Sequence, residues 1–335
     1  MRRMLTPGQL ETVLALALDQ NQRRLHRDER IPRPEASTIT AEFSRHAPTD
    51  VLWAGTSYCS SEGVAIPLVV DNPTDSDSLA YWPRRNATTS AIYISGQSDT
   101  GCRVVFARLL RELDHWWAAA APDGVSLLWP THDFSVEDML LRRGIRLDAF
   151  FALREARAAP SDYLGREDVV IRPALPADLP SVLALAAEVV EAHIPASPFA
   201  RMTKTIFTQY RRRLAVQWEG QSHDGPKPIS FVAEAQAQIV AMADCWIVEE
   251  TLRPGALAPR GKYCYINSFG VAKTLRGKGV GTALADYIHQ KVVEDGCTGS
   301  YLWFSAYNQQ ASSFWRRCGY APVWTSFQRR ESPDR

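Results

Sequence analysis

The chain lacks long apolar runs, paired cysteines and any marked excess of one charge, and each absence removes a class of function. Lys and Arg number 38 against 37 Asp and Glu, a formal net charge of +1, so a polyanion such as nucleic acid is not expected as a partner. Six cysteines, at positions 59, 102, 245, 264, 297 and 318, show no Cys-x-x-Cys spacing; neither a disulfide framework nor a zinc site is expected. Cys245, Cys264 and Cys318 sit in apolar patterns and read as small buried side chains. The histidines form no ligand pair, and no metal is expected. The start, Met1-Arg-Arg-Met-Leu-Thr-Pro, resembles the charged beginning of a signal peptide. The apolar run that follows, Val13 to Leu18, is short and bounded by Glu11 and Asp19, so it is not read as one. No segment approaches the roughly 20 apolar residues of a membrane helix. The expectation is a soluble, cytoplasmic protein with no membrane partner. What is present is size: 335 residues, 45% apolar and 10% aromatic, enough for two ordinary cores.

One stretch organises the rest. In Phe269-Gly-Val-Ala-Lys-Thr-Leu-Arg-Gly-Lys-Gly-Val-Gly-Thr282, Ile266, Phe269 and Val271 supply an apolar strand. Leu284, Tyr287, Ile288 and Val292 then fall on one helical face, and Gly296 is a natural stop. Gly277, Gly279 and Gly281 let main-chain N–H groups approach a ligand closely. The helix N-terminus adds partial positive charge, so the turn is built for an anion, most simply phosphate. Spacing separates the phosphate loops. A nucleoside-triphosphate loop needs Gly-Lys-Ser/Thr, but Gly281 is followed directly by Thr282. A dinucleotide fingerprint needs glycine at 282.

The remaining pattern, Arg-Gly-x-Gly-x-Gly with a strand Val ahead of the Arg, resembles the pyrophosphate-binding motif of the GCN5-related N-acetyltransferases (GNAT superfamily). A second segment has the form of that superfamily's last motif. It comprises the strand-like Tyr301 to Ser305, then Asn308-x-x-Ala311-x-x-Phe314-Trp315-x-x-x-Gly319-Tyr320. The resemblance implies an α/β fold with a mixed (α+β) sheet, residues 166–330 as an acetyltransferase domain, and acyl-coenzyme A, typically acetyl-coenzyme A, as co-substrate without a metal. Its expected contacts are Phe269, Gly270, Val271, Arg276, Gly277, Lys278, Gly279, Val280, Gly281, Thr282, Asn308 and Trp315.

The chain also repeats itself. Val13-Leu-Ala-Leu-Ala17 recurs as Val182-Leu-Ala-Leu-Ala186, and Leu127 to Asp133 followed by Met139 to Gly144 parallels Leu302 to Asn308 followed by Phe314 to Gly319. Between them, Ser90 to Ser95 reads as a strand and Cys102 to Ala120 as a long helix. Two tandem GNAT-like domains are expected, 1–158 and 166–330, joined by a linker within Glu155 to Glu167. An unrelated α/β domain is the alternative for the first. The N-terminal turn, Gly96-Gln-Ser-Asp-Thr-Gly101, has no Arg and carries Asp99 where an anion would sit. That half is expected to be a degenerate copy with a structural or substrate-framing role.

The acceptor chemistry is less determined. A lysine-like amine is neutral in only about one copy in 10³ at pH 7, a cost of about 4.6 kcal/mol, so a base, a water relay or a dry pocket is needed. The family often places a carboxylate on the strand entering the phosphate turn, where this chain has Tyr265, Asn267 and Ser268. Asp244, the charged member of an apolar strand face, and His193, after the helix beginning near 178, are the candidate bases. The family's usual acid is a Tyr at the position of Trp315, whose indole N–H is no practical proton donor; Tyr307 and Tyr320 are the substitutes at hand. The expected activity is N-acetyl transfer to a primary amine of a small molecule or peptide. A non-catalytic acyl-coenzyme A sensor and an O- or longer-chain acyltransferase remain open.

Overall fold

In the computed structural model of the protein, the described residues form one continuous sheet of eleven strands that carries eight helices on its two faces. The structure describes residues 5–44, 51–56, 61–74, 82–157, 168–197, 199–219, 227–252 and 255–330. Cys59 and the linker segment 158–167 lie outside them. The N-terminal half comprises α1 (Pro7–Leu25), α2 (Ala36–Phe43), β1 (Leu52–Thr56), β2 (Ser61–Asp71), β3 (Arg85–Ser95), α3 (Asp99–Ala120), β4 (Gly124–Pro130), α4 (Glu137–Leu141) and β5 (Arg146–Glu155). The C-terminal half adds a short β6 (Val170–Pro173). It then repeats the order as α5 (Leu179–His193), α6 (Lys204–Glu219), β7 (Lys227–Ala235), β8 (Gln238–Glu250), β9 (Gly261–Val271), α7 (Val280–Glu294), β10 (Gly299–Ser305), α8 (Gln309–Arg317) and β11 (Ala321–Arg330).

Local sequence explains the ends. Thr6 and Gln9 form a reciprocal capping box at the start of α1, which satisfies two otherwise unpaired N–H groups. Gly144 and Gly319, with φ of 70° and 88°, terminate α4 and α8 in the left-handed conformation that costs glycine little. The residue after each glycine returns a hydrogen bond to the helix: Ile145 N–H to Leu140 O and Tyr320 N–H to Trp315 O, 3.1 and 3.0 Å. The repeat seen in the sequence is thus a repeat in capping geometry. The apolar stripe of α3 (Cys102, Val105, Phe106, Leu109, Leu110, Leu113) is fully buried, each large side chain contributing about 1.5–3 kcal/mol. Helix α7 buries Leu284, Ile288 and Val292 against the other half of the sheet.

The strand order is β1-β2-β3-β4-β11-β5-β10-β9-β8-β7-β6. The segmentation read from the sequence did not anticipate its centre. β5 leaves the N-terminal half to pair antiparallel with β10, Ala149 opposite Ser305, while β11 pairs antiparallel with β4, Trp324 opposite Pro130. The two last strands exchange halves and pair with each other, as in domain swapping within one chain. Phe327 packs into the α3/α4 core, and Phe150 and Ala152 into the α7/α8 core, so each half completes the other's interior.

Candidate active site

β9 and β10 run parallel but pair only from Tyr263 with Gly299 to Ile266 with Leu302. Beyond that point β9 continues to Val271 and β10 to Ser305 without a mutual register. The two strands part like a V at their C-terminal ends, which leaves main-chain groups of β9 facing a gap, and such groups require partners. The glycine turn lies at the end of one arm of the V, and Asn308 at the end of the other.

The turn is a 3-10 segment, Lys273–Leu275, followed by Gly277 and Gly279 at φ of 76° and 85°. Gly279 caps α7, which begins at Val280, slightly earlier than the sequence indicated. Ala283 N–H is the first in the helix to find its acceptor, Gly279 O at 3.0 Å, so those of Val280, Gly281 and Thr282 point out of the helix end. A Cβ on Gly281 would lie 3.2 Å from Val271 and 3.6 Å from both Phe269 and Phe314. This is where β9, α7 and α8 converge. Gly270 serves a different purpose: a Cβ there would meet Val189 of α5 at 2.5 Å, so its missing side chain seats a helix. Arg276 braces the loop, with Nε donating to Val271 O at 3.0 Å and Nη2 lying 3.8 Å from Glu188. Glu188 also accepts Lys273 N–H at 3.1 Å. Lys278 is exposed, its N–H donating to Leu275 O at 3.3 Å.

Asn308 is the N-cap of α8, its Oδ1 accepting Ala311 N–H at 3.0 Å. Trp315 is buried among Phe269, Phe314 and Tyr320, at ring distances of 5.0, 4.8 and 5.3 Å, and supports the cradle from beneath. Tyr320 is removed from proton transfer: its hydroxyl is shared between Ser300 Oγ at 2.7 Å and His289 Nε2 at 3.1 Å, and burial raises its pKa well above the usual phenol value. Tyr307 is 47% exposed on the turn after β10, the candidate phenol that remains near the V.

Asp244 lies on the opposite face of the sheet and is buried. Its Oδ2 accepts from Asn267 Nδ2 at 2.8 Å and its Oδ1 from Ser230 Oγ at 3.4 Å. The sequence reading named Asn267 only as one of the residues standing where the family often has a carboxylate. A bulge, with Asp244 opposite Ser268 and Cys245 opposite Ile266, leaves Asn267 without a counterpart and turns its side chain onto Asp244, a common device beside active sites. His193 stands apart at the end of α5, its Nδ1 3.0 Å from Val189 O.

The N-terminal half has the same V with different contents. β3 and β4 pair only at Asn86 and Ala87. Past that point Gln20 of α1, fully buried, donates from Nε2 to Ile92 O at 2.9 Å and accepts Ile94 N–H at 3.0 Å. Arg23 donates to Ile94 O at 3.0 Å. Asp133, at the position matching Asn308, receives Arg24 at 2.9 Å and Arg27 at 2.8 Å, and Arg27 also pairs with Asp99 at the start of α3. The carboxylate expected to oppose an anion thus holds an arginine of the chain itself. The signal lay in the helix pattern: Gln20 continues the face of Val13, Leu16 and Ala17.

Comparison with known proteins agrees with this geometry. Residues 188–320 match the acetyltransferase (GNAT) family model. No curated protein matches the chain. Among solved structures, a GCN5-related N-acetyltransferase from Sphaerobacter thermophilus covers 99% of this chain and 96% of its own at 14% identity, with a TM-score of 0.57. Such a likeness establishes the fold across both halves and nothing finer. A GCN5-related N-acetyltransferase from Kribbella flavida covers 94% of each chain at 14% identity, with a TM-score of 0.41. It is the segment 188–320 that matches the GNAT family, whose members are acyl-coenzyme A-dependent acyltransferases. Among the described residues no helix is long and apolar enough to cross a membrane.

Proposed function

We propose that the protein is a cytoplasmic N-acetyltransferase that moves an acetyl group from acetyl-coenzyme A to a primary amine of a small molecule or peptide, using one cofactor site in the C-terminal half. The observation that carries this reading is the V between β9 and β10, with a glycine-built helix N-terminus on one arm. The free N–H groups of Val280, Gly281 and Thr282 suit a pyrophosphate, each charge-assisted bond contributing about 1.5–3 kcal/mol. The exposed edge of Phe269 to Val271 suits an amide-bearing arm. The co-substrate supplies the activated acyl group; the chain's residues hold it and exclude water. The units 1–158 and 166–330, with their last strands exchanged, are the domains of this reading, the first a copy that does not bind cofactor. Calorimetry with acetyl-coenzyme A is expected to give one site per chain near micromolar Kd, about −8 kcal/mol, and thiol release is expected with some member of a primary-amine panel. No binding would remove the proposal.

A non-catalytic acyl-coenzyme A sensor is the second reading. Trp315 in place of the usual phenol, and Asp244 already engaged by Asn267 and Ser230, favour it. Turnover with any amine excludes it.

A further inference from the structure

A buried polar track crosses the sheet where the exchanged strands meet, and neither the fold nor the cofactor site accounts for it. On the α1/α5 face, Gln328 of β11 stands opposite Ser126 of β4. On β11's other side, a register shift between Ser326 and Phe327 bulges Asp148 out of β5. Asn86 joins through Nδ2 to Ser126 Oγ at 2.7 Å, and Ser197, just past α5, donates to Asp148 Oδ1 at 3.4 Å. All of these residues are buried.

The hydrogen bonding along the track is incomplete. Gln328 is 1% exposed and faces Asp148, yet among the described residues neither its Nε2 nor its Oε1 completes a well-formed hydrogen bond. Asn86 Oδ1, Ser326 Oγ, and Nε and Nη2 of Arg330 are likewise shielded and unpartnered among the described residues. Folded proteins leave few such groups, and an unpaired guanidinium is among the costliest. Several on one strip of sheet leave hydrogen-bonding capacity that the described residues do not use. Asp148 agrees: burial raises its pKa to about 6, against the pull of Gln328, Ser197 and Arg330. Burial and nearby Arg201 lower that of Arg330 to about 10.

Position links the track to the chemistry. Asp148 O accepts Ala306 N–H at 2.9 Å, which places Asp148 beside the end of β10, next to Tyr307 and Asn308 at the mouth of the V. From there the track runs over β11 to β4, about 10 Å across three strands. That is the span of a small molecule.

We propose that this track is the acceptor site, and that the acceptor is a small zwitterion, an amino acid or short derivative. Its amine lies on Asp148, its polar body on Gln328 and Ser326, and its acid group on Arg330. The inference rests on the acyltransferase reading and deepens it. It also gives the N-terminal half a role, since β4 and β5 then line the site that the C-terminal half serves.

The test uses the full chain. Calorimetry with acetyl-coenzyme A on wild type, Gln328→Leu and Arg330→Met comes first; all three are expected to bind alike. Thiol release is then measured with L-amino acids, their carboxamides and their decarboxylated amines. An amino acid should exceed its decarboxylated counterpart by at least about tenfold in kcat/KM, because a site built for hydrogen bonds rejects a ligand lacking them. Gln328→Leu and Arg330→Met should each raise its KM about tenfold or more, while Gln328→Leu leaves the Tm of the free protein unchanged or higher. A merely structural Gln328 would instead lower Tm and leave KM alone, overturning the proposal. Turnover confined to amines without an acid group would overturn it too, as would coenzyme A binding with no amino acid accepted. Failure of acetyl-coenzyme A to bind would defeat the acyltransferase reading first, and this inference with it.

Discussion

Two strand pairs part in this protein, β3 from β4 and β9 from β10, and the two gaps differ in what meets their edges. In the first, α1 supplies an amide and two guanidinium groups, and Arg27, just past its end, supplies a third. Gln20 bonds the edge of β3 as a neighbouring strand would, and Arg23, Arg24 and Arg27 converge on Asp133. In the second, the repeat places Val189, Ala192 and His193 at the positions of Gln20, Arg23 and Arg24. Val189 packs on Gly270, and His193 bonds its own helix. One fold therefore leaves a gap between two strands or fills it from within, and the difference rests on a few helix positions.

The largest effect expected from breaking this contrast is at Asp133. Asp133→Ala leaves the Arg24 and Arg27 charges without their buried counter-ion, a loss of about 3–5 kcal/mol, visible as a lower denaturation midpoint at unchanged m-value. Asn308→Ala, the matching change in the other half, removes only a helix cap, about 1 kcal/mol. Equal losses from the two would break the comparison.

Gln20→Ala strands the buried Ile92 carbonyl and Ile94 amide, each at about 1–3 kcal/mol, so about 2–6 kcal/mol of stability should go while acetyl-coenzyme A affinity stays. The converse, Val189→Gln, sets an amide facing the edge of β9 and is expected to weaken acetyl-coenzyme A binding about tenfold. Appearance of a second acetyl-coenzyme A site in Gln20→Ala would mean that the N-terminal gap is only plugged, not degenerate.

Gly281→Glu brings a Cβ into Val271, Phe269 and Phe314 and a carboxylate to the helix end that should hold pyrophosphate. Acetyl-coenzyme A affinity is expected to fall by about 100-fold, about 2.7 kcal/mol, with little change in stability beyond the local contact. Asp99→Ala, at the corresponding helix start in the other half, should leave the affinity within error.

Much of this contrast was legible in the sequence, and what escaped is informative. The glycine turn, the Asn308 to Tyr320 segment and the internal repeat are local patterns, and β3, α3, α7 and β10 appear within about five residues of their expected bounds, whereas α2, β1 and β2 were not expected. The strand exchange escaped because nothing in the alternation of β5 or β11 says which neighbour it pairs with. Asn267 and Asp148 escaped because each owes its direction to a bulge, and a one-residue slip reverses which face a side chain serves. Gln20 was readable as a polar residue on an apolar helix face, but its partner was a strand edge that only tertiary structure exposes.

The smallest expected effect concerns the cores behind the two gaps. Where the C-terminal half joins Ser300, Tyr320 and His289 by hydrogen bonds, the repeat places Val125 and Ile145 in the N-terminal half, both fully buried and apolar. Only the first arrangement titrates. Burial, with Arg154 nearby, lowers the His289 pKa to about 3 from an unfolded value near 6.5. Between these values the unfolded chain binds the proton that the folded chain refuses, so stability is present above pH 6.5 and is lost as pH falls. The slope is at most about 1.4 kcal/mol per pH unit. Asp286, 3.9 Å from His289 Nδ1, is raised by burial and offsets part of the slope at its acid end, since there the folded state holds the extra proton. Asp148, raised to about 6 by burial, opposes the His289 slope below pH 6 in the same way, so the check is a difference. In denaturant titrations at pH 7, 6 and 5 the wild type should lose stability relative to His289→Leu as pH falls, with Tyr320 still bonded to Ser300. If the two proteins lose stability in parallel, His289 is not the acid-sensitive group.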